Sequence, residues 1–258
     1  MAFDISRARE FVKSIDLSGT PREILAQDAA TEAGEVFDKA KSQAQVVGSG
    51  VFSFAQGVTT EVREAISDSA LLAQLVANKK VSADQSPLDW FTAYSGVLQT
   101  VGWTLQEGGW TDYTAKGTAV EVHEKILEVM TVALGPAPAA LAIITATISA
   151  LKAMNSGSPW ITIFSRESQK AKIARFQIGL VEKEENSDVF VSLLACLIEA
   201  HNNITQVLFF KFKDAGASFR ANTGKVSINR QALTQLSPSI RNKILAYQAD
   251  YLSTVLNV

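Results

Sequence analysis

The chain has 258 residues, of which 47% are hydrophobic and 19% charged, a balance that excludes a disordered or low-complexity protein. Its 24 basic and 26 acidic residues give a net charge of -2, which excludes a general electrostatic attraction to nucleic acid or anionic membranes. We therefore expect a packed globule with no nucleic-acid partner. The composition gives no indication of the oligomeric state.

Seven segments are predicted to be helices from apolar residues three or four positions apart and from helix-start signals. Thr20–Glu23 and Ser86–Asp89 each combine a hydroxyl at the N-cap, proline at the first helical position and an acid three residues after the cap. Ser237-Pro238 repeats the first two elements. The predicted helices are 4–15, 21–46, 59–78, 87–105, 117–134, 137–154 and 238–256.

The segment 44–58, AQVVGSGVFSFAQGV, carries three glycines among apolar residues. Glycine weakens a helix and permits close backbone approach, so we interpret this segment as a tight helix crossing, with a flexible hinge as the alternative. The helix that follows, 59–78, places its apolar residues roughly on one stripe. This pattern is typical of an amphipathic surface helix.

The segment 129–151 has 23 residues without a charge, which is long enough to raise the question of a membrane span. Gly135–Pro138 divides it, because prolines interrupt a continuous helix. We predict two buried helices joined by a tight corner. The alternative is a hairpin that inserts into a bilayer on a trigger.

Beyond Ser156–Pro159 the pattern becomes typical of strands, with short apolar runs and polar breaks. The predicted strands are 172–183, 188–200 and 204–214, then 217–220 and 225–228 around a turn at Ala221–Gly224. We therefore predict an α+β fold with about seven helices packed on a small antiparallel sheet of four to five strands. It is expected to be one domain, 1–258, in which residues 1–156 are helical, 160–230 form the sheet and 238–256 form a closing helix.

Residues that would carry catalysis or hold a metal show no recognisable spacing. His123 lacks the second histidine four positions away that a zinc-protease helix needs, so we expect it on a solvated helix face. His201 follows Cys196 by five residues, which an extended strand would separate by about 16 Å, so a Cys–His nucleophile pair is the least favoured hypothesis. We expect no enzyme, no catalytic residue and no metal.

Two further groups of side chains have both a structural and a functional interpretation. We interpret the tryptophans as core and rim packing, with a ligand cleft or a membrane-interface belt as the alternative. We interpret a basic stretch as the solvent-exposed start of a strand, with contact to phosphate or lipid headgroups as the alternative. The tryptophans are Trp90, Trp103, Trp110 and Trp160. The basic stretch consists of Arg166, Lys170, Lys172 and Arg175.

The single cysteine, Cys196, stands in the apolar stretch Val189–Ile198, as expected for a central strand covered on both faces. Alternation places Phe190, Leu194 and Ile198 on its face. One interpretation is a buried, inert thiol. The other is that the sulfur faces an apolar cavity lined by these three side chains and carries a fatty acyl thioester, each buried methylene contributing about 0.8 kcal/mol.

Four features of the chain occur together in a known protein family. They are its size, the order of its helices and strands, the lack of catalytic motifs, and one cysteine about sixty residues from the C-terminus. In these respects the chain resembles the Erwinia virulence factor (Evf) family, bacterial proteins that promote persistence in the insect gut. In that family the cysteine is S-palmitoylated and the protein associates with lipid vesicles. The resemblance therefore implies covalent palmitate on Cys196 and a lipid membrane or vesicle as partner.

We accordingly expect a non-enzymatic virulence or toxin-like protein that associates with host membranes through a palmitoyl thioester on Cys196. The alternative is a helical pore-forming or membrane-disrupting insecticidal protein that inserts the hairpin 129–151. One acyl chain anchors marginally, so a second contact from the hairpin or the tryptophans is expected. The N-terminal segment lacks the apolar stretch of a secretory signal, so we expect synthesis in the cytoplasm and action outside the cell or at a membrane.

Overall fold

The computed structural model describes residues 3–20, 37–81, 86–106, 108–113, 120–154, 158–170, 172–183, 189–204, 207–208, 211–212, 217–247 and 255–257. The helices in these ranges are α1 (Ile5–Ser14), α2 (Thr60–Lys80), α3 (Pro87–Thr100), α4 (Val122–Leu134), α5 (Pro138–Ala153), α6 (Pro159–Ser168) and α7 (Arg230–Tyr247). The strands are β1 (Gln43–Val47), β2 (Gly50–Phe54), β3 (Trp103–Leu105), β4 (Thr111–Tyr113), β5 (Val120–Glu121), β6 (Gln169–Lys170), β7 (Ile173–Lys183), β8 (Val189–Ala200), β9 (Lys211–Phe212), β10 (Ala217–Ile228) and β11 (Val255–Asn257).

The described strands form one large mixed sheet and one short pair. The sheet has nine strands, seven of them in the order β11-β1-β2-β7-β8-β10-β3, with β4 paired to β10 and β6 to β7. Strands β2 and β7 run parallel, whereas the other pairs are antiparallel. The mixed helix and sheet composition agrees with the predicted class. The prediction of a small, purely antiparallel sheet of four to five strands was wrong, because it missed the strands in the first half of the chain.

A tight β-hairpin occupies residues 43–54, where the sequence predicted the end of a helix and a helix crossing. Strands β1 and β2 pair antiparallel and are joined by the two-residue turn Gly48-Ser49. The backbone of Gly48 has φ of 53°, a conformation that favours glycine. The prediction was wrong because the valines and phenylalanines here are strand formers and the glycine makes a turn. Residues 21–36, the rest of that predicted helix, lie outside the described residues.

Helix α2 is confirmed as a helix but is enclosed by the protein, so the predicted surface position was wrong. Almost every residue from Val62 to Ala77 is buried. The helix packs between the sheet and the helices α3 and α7. Small residues such as Ser69, Ala70 and Ala73 are fully buried and allow these neighbours to approach closely.

Buried polar side chains bind α2 to strand β1. The Arg63 guanidinium donates to Gln43 Oε1 at 2.6 Å, and the Ser67 hydroxyl donates to Gln45 Oε1 at 2.6 Å. Further along the helix, the Gln74 amide donates to the last carbonyl of β1 at 3.0 Å. Because buried polar groups are costly unless they are paired, these bonds fix the register of α2 on the hairpin.

The predicted antiparallel meander is confirmed for β7 and β8 and is wrong beyond them. Of the third predicted strand, 204–214, only β9 is a strand among the described residues, and it pairs with β5. The hairpin predicted at Ala221–Gly224 is instead the middle of β10, which pairs with β8 along its whole length. A Cβ on Gly224 would lie 2.9 Å from the Gln106 carbonyl oxygen, so this glycine allows a close backbone approach rather than a turn.

Helix boundaries differ from the predictions at several places, including residues 120 and 121, which form β5 before α4 although the predicted helix was 117–134. Helix α3 stops at Thr100, and the predicted stretch to 105 contains β3, because Gly102 turns the chain with φ of 102°. Helix α7 starts at Arg230 and has Pro238 inside it, whereas residues 255–257 form β11 rather than helix. Helix α6 was not predicted, although Ser158-Pro159 repeats the start signal used elsewhere.

The sheet separates two apolar cores. One contains side chains of α1, α2, α3 and α7. The other contains side chains of α4, α5 and α6. Strand β8 contributes Val191 and Leu197 to the first core and Leu194 and Ile198 to the second. It is therefore a central strand covered on both faces, as its apolar sequence predicted.

Candidate functional site

Cys196 lies in the middle of the sheet and has no exposed surface. Strand β8 runs between β7 and β10, which places Cys196 opposite Phe176 on one side and Ala221 on the other. The side chain is 0% exposed and belongs to the core beneath α4, α5 and α6. The thiol is thus enclosed by apolar groups.

The structure places two of the three side chains proposed to line an acyl cavity in the core that holds Cys196. Leu194 and Ile198 are both fully buried in it. Phe190 is half-buried and paired with Glu182 and Ser227 near the start of β8. Alternation along a strand predicts which face a side chain points to, but it does not predict how far the covering helices extend along that strand.

Helices α4 and α5 cover the face of the sheet that carries Cys196. Helix α4 packs against β8 and β10, and α5 packs against β2 and β7. Their buried residues Met130, Ile144 and Ile148 belong to the same core as Cys196. The apolar segment 129–151 therefore lies over this face of the sheet.

The outer end of this helix pair is exposed, so the expectation of a fully buried hairpin was wrong. We call residues 131–139 the hairpin tip. It has no charged residue, and Val132 within it is 80% exposed. Helix α4 ends at Leu134 and is followed by Gly135, whose φ is 62°, and α5 begins with Pro138. Among the described residues, no helix combines the length and hydropathy that crossing a bilayer requires.

Burial determines the protonation of Cys196. Removal of the thiol from water raises the pKa of Cys196 well above its ordinary value. The neutral thiol is a poor nucleophile, because the thiolate is the reactive form. His201 is exposed after the end of β8, and no hydrogen bond joins these two described residues. The structure therefore does not assemble the Cys196–His201 pair.

The other sequence-predicted residues are dispersed. Trp90 and Trp103 are buried, Trp110 is half-buried and Trp160 lies in α6. His123 lies on α4 but is only 12% exposed, with Nδ1 3.0 Å from Glu121 Oε2, so the solvated position expected for it was wrong. Among the described residues, no group of three His, Cys, Asp or Glu side chains is arranged to hold a metal ion.

The predicted basic stretch is not one solvated surface. Arg175 lies over the Trp90 ring at 4.6 Å and donates to Asn78 Oδ1 at 3.2 Å. Burial lowers the pKa of Arg175 to about 10. Arg166 lies beside Glu167, with nitrogen and oxygen 3.3 Å apart, whereas Lys172 is exposed. The inward direction of Arg175 is a correction to the sequence interpretation.

Comparison with known proteins gives distant similarities only. No protein-family model matches the chain, and no curated protein matches it. A solved delta-endotoxin structure is 13% identical with a TM-score of 0.37, covering 81% of this chain and 88% of that one. The solved Evf virulence factor is 12% identical with a TM-score of 0.34, covering 95% of this chain and 89% of that one. The chain thus has a distant structural likeness to a toxin and a virulence factor, and no family membership follows from it.

Proposed function

We propose that this chain is a non-enzymatic, toxin- or virulence-like protein that associates with lipid membranes. The association uses a palmitoyl thioester on Cys196 and a second contact through the hairpin tip. One observation carries the proposal: a fully buried thiol lies in an apolar core whose covering helix pair ends in an exposed, uncharged tip. The membrane contact and the site of acylation are thereby coupled through the same two helices.

A long acyl chain is more stable in this apolar core than in water. Each methylene that moves from water into the apolar core contributes about 0.8 kcal/mol, so a palmitoyl chain changes the preferred packing of α4 and α5 strongly. The same chain inserted alone into a bilayer gives only marginal, reversible binding. The exposed Val132 and its uncharged neighbours supply the additional apolar contact.

Acylation of Cys196 requires access to the thiol. In the folded chain the thiol is buried and its pKa is raised, so it reacts before the core closes or while α4 and α5 are displaced. With an acyl thioester as donor, Cys196 Sγ bonds to the acyl carbonyl carbon and the donor thiol leaves. The proton of Cys196 passes to that released thiol, so no oxidant or metal is needed.

A second function is favoured by the exposure of the hairpin tip itself. In that alternative the tip enters the membrane without any acyl chain and disrupts it. Leakage of a dye from liposomes separates the two functions. A Cys196→Ser protein that still releases dye supports membrane disruption, whereas loss of vesicle binding without leakage supports the acyl anchor.

Replacing Val132 by glutamate is expected to weaken binding to phosphatidylcholine vesicles about tenfold. The valine loses its apolar contribution of roughly 1.5 kcal/mol and a charge enters the contact surface. Vesicle flotation over a range of lipid concentrations measures the change. Val132 is 80% exposed, so the substitution leaves the core of the protein intact.

Leu245→Glu is the matched control for this experiment. Leu245, on α7, is also an exposed large apolar residue, at 65%. Because α7 packs against the opposite core, this variant should bind vesicles as the unmodified sequence does. Equal loss of vesicle binding in both variants, or no loss in either, would show that the hairpin tip is not the membrane contact.

A further inference from the structure

Helix α7 covers part of the apolar core that lies on the face of the sheet opposite to Cys196. It packs against both α2 and α1. Its buried apolar residues belong to this core, whereas Cys196 belongs to the other one. These residues are Leu233, Leu236, Ile240 and Ile244. A movement of α7 is therefore independent of the proposed acylation and of the hairpin tip.

One guanidinium is shared by two carboxylates where α7 meets α2. Glu64 and Asp68 are four residues apart on α2, so they project from the same face of that helix. Arg241 of α7 has a nitrogen 2.7 Å from Glu64 Oε2 and another 3.9 Å from Asp68 Oδ2. The Glu64 side chain is 40% exposed and the Asp68 side chain 17%. The more buried acid thus has the longer ion pair. We call these three residues the α7 cluster.

The Asp68 carboxylate is poorly compensated when it is ionised. Its Oδ2 atom is buried and has no hydrogen-bond partner in the described part of the chain. A charged group in such a position loses its hydration without an equivalent gain from the protein. Burial raises the pKa of Asp68 to about 6, with Glu64 adding to the shift and Arg241 opposing it. Asp68 in the folded protein therefore changes from protonated to ionised across this pH.

The other elements packed against α2 bring little charge to this contact. Strands β1 and β2 contain no charged residue, and α3 contains only Asp89, at its exposed start. On α7, Arg230 lies at the first position, and Lys243 donates to two carbonyls at the C-terminal end of α1. On α2 itself, Arg63 donates to groups of the β1–β2 region. Arg241 is thus the cation that the described residues place beside Asp68.

We propose that the α7 cluster is a pH-sensitive contact that holds α7 on α2 in acid and loosens it as the pH rises. With Asp68 protonated, Arg241 and Glu64 form a balanced ion pair beside a neutral acid. With Asp68 ionised, two negative charges share one positive charge at a partly buried interface. Movement of α7 away from α2 admits water to the Asp68 carboxylate and exposes the apolar residues beneath the helix.

The direction of the effect follows from proton binding. When α7 is displaced, Asp68 returns to water and its pKa approaches the ordinary value of 3.8. The open form releases the proton more readily than the closed form, so a rise in pH favours opening. The difference between the two pKa values predicts that the equilibrium constant for opening is about tenfold larger at pH 7 than at pH 5.

Hydrogen exchange of the full chain, followed by mass spectrometry at pH 5 and pH 7, tests the proposal. Each exchange rate is divided by the intrinsic rate of the same sequence at that pH. We expect the protection of residues 230–247 to fall about tenfold between the two pH values, whereas that of the central strand β8 stays constant. Asp68→Asn, which is neutral at both pH values, should abolish the fall.

Two further variants separate ionisation of Asp68 from other causes. Asp112→Asn, the matched control, removes a carboxylate that is 76% exposed and should respond to pH as the unmodified chain does. Glu64→Gln removes the like charge beside Asp68 and should move the loss of protection to lower pH. Equal protection of α7 at both pH values, an equal fall in β8, or an unchanged fall in the Asp68→Asn protein would overturn the proposal.

Discussion

Replacing Arg63 by methionine is expected to lower the free energy of unfolding by about 3–5 kcal/mol, because several charge-assisted hydrogen bonds are lost together. Its guanidinium, fully buried, donates to Gln43 Oε1 at 2.6 Å and to the carbonyls of Val58 and Lys41 at 2.9 and 3.0 Å. Methionine fills similar space but leaves these buried acceptors without donors. The loss should appear as a lower urea midpoint with an unchanged slope.

Arg9→Met is the control for this measurement. Arg9 is exposed on α1, so its replacement should change the stability by less than about 0.5 kcal/mol. If Arg63→Met is no more destabilising than Arg9→Met, then the polar attachment of α2 to β1 does not stabilise the fold.

Asp68→Asn is expected to stabilise the protein at pH 7 by up to about 3 kcal/mol. Burial raises the pKa of Asp68 from 3.8 to about 6, with nearby Arg241 opposing the shift and Glu64 adding to it. The Asp68 side chain is 17% exposed, and its Oδ2 is 3.9 Å from the Arg241 guanidinium. Ionisation is therefore unfavourable in the folded state.

The sign of the pH dependence follows from proton binding. Between about pH 4 and pH 6 the folded protein keeps a proton on Asp68 that the unfolded chain releases, so this group lowers stability as pH rises through that window. Urea unfolding of both proteins from pH 4 to pH 8 should show the benefit of the Asp68→Asn substitution growing to a plateau above about pH 6.

Asp112→Asn serves as the comparison, because that carboxylate is 76% exposed and its replacement should have little effect at any pH. A constant difference between the Asp68→Asn protein and the unmodified sequence at all pH values would show that ionisation of Asp68 is not the cause.

Local signals accounted for the elements that the sequence predicted correctly. The start of α3 at Pro87 follows from the cap, proline and acid pattern, and the Ser86 hydroxyl accepts from the Leu88 N–H at 3.2 Å as a capping residue should. Strands β7 and β8 are long, apolar and bounded by polar residues. These features act within a few residues of one another, so they can be recognised without the rest of the fold.

The elements that were missed depend on distant partners. Both strands of the β1–β2 hairpin are buried at every position, so they lack the alternation of a half-exposed strand. The parallel pairing of Phe52 with Gly179 joins residues far apart in sequence, and a Cβ on Gly179 would lie 2.6 Å from the Phe52 ring. Continuity of β10 likewise depends on its pairing with β8.

The same distinction applies to the sites. The apolar run around Cys196 was sufficient to predict a covered central strand, because burial on both faces requires apolar residues at consecutive positions. A cavity of about 540 Å³ between α3 and β10 could not be predicted, because its lining residues come from elements that are far apart in the sequence. The aromatic residues of α3 have helical spacing, which is equally typical of a core face.

The proposed acylation is tested most directly by the intact mass of the protein purified from its native host, before and after neutral hydroxylamine. We expect a mass increase of one palmitoyl group that hydroxylamine removes, and the unmodified mass throughout for a Cys196→Ser protein made in the same cells. An unmodified mass for the native sequence before treatment, with Cys196 recovered as a free thiol, would contradict the account.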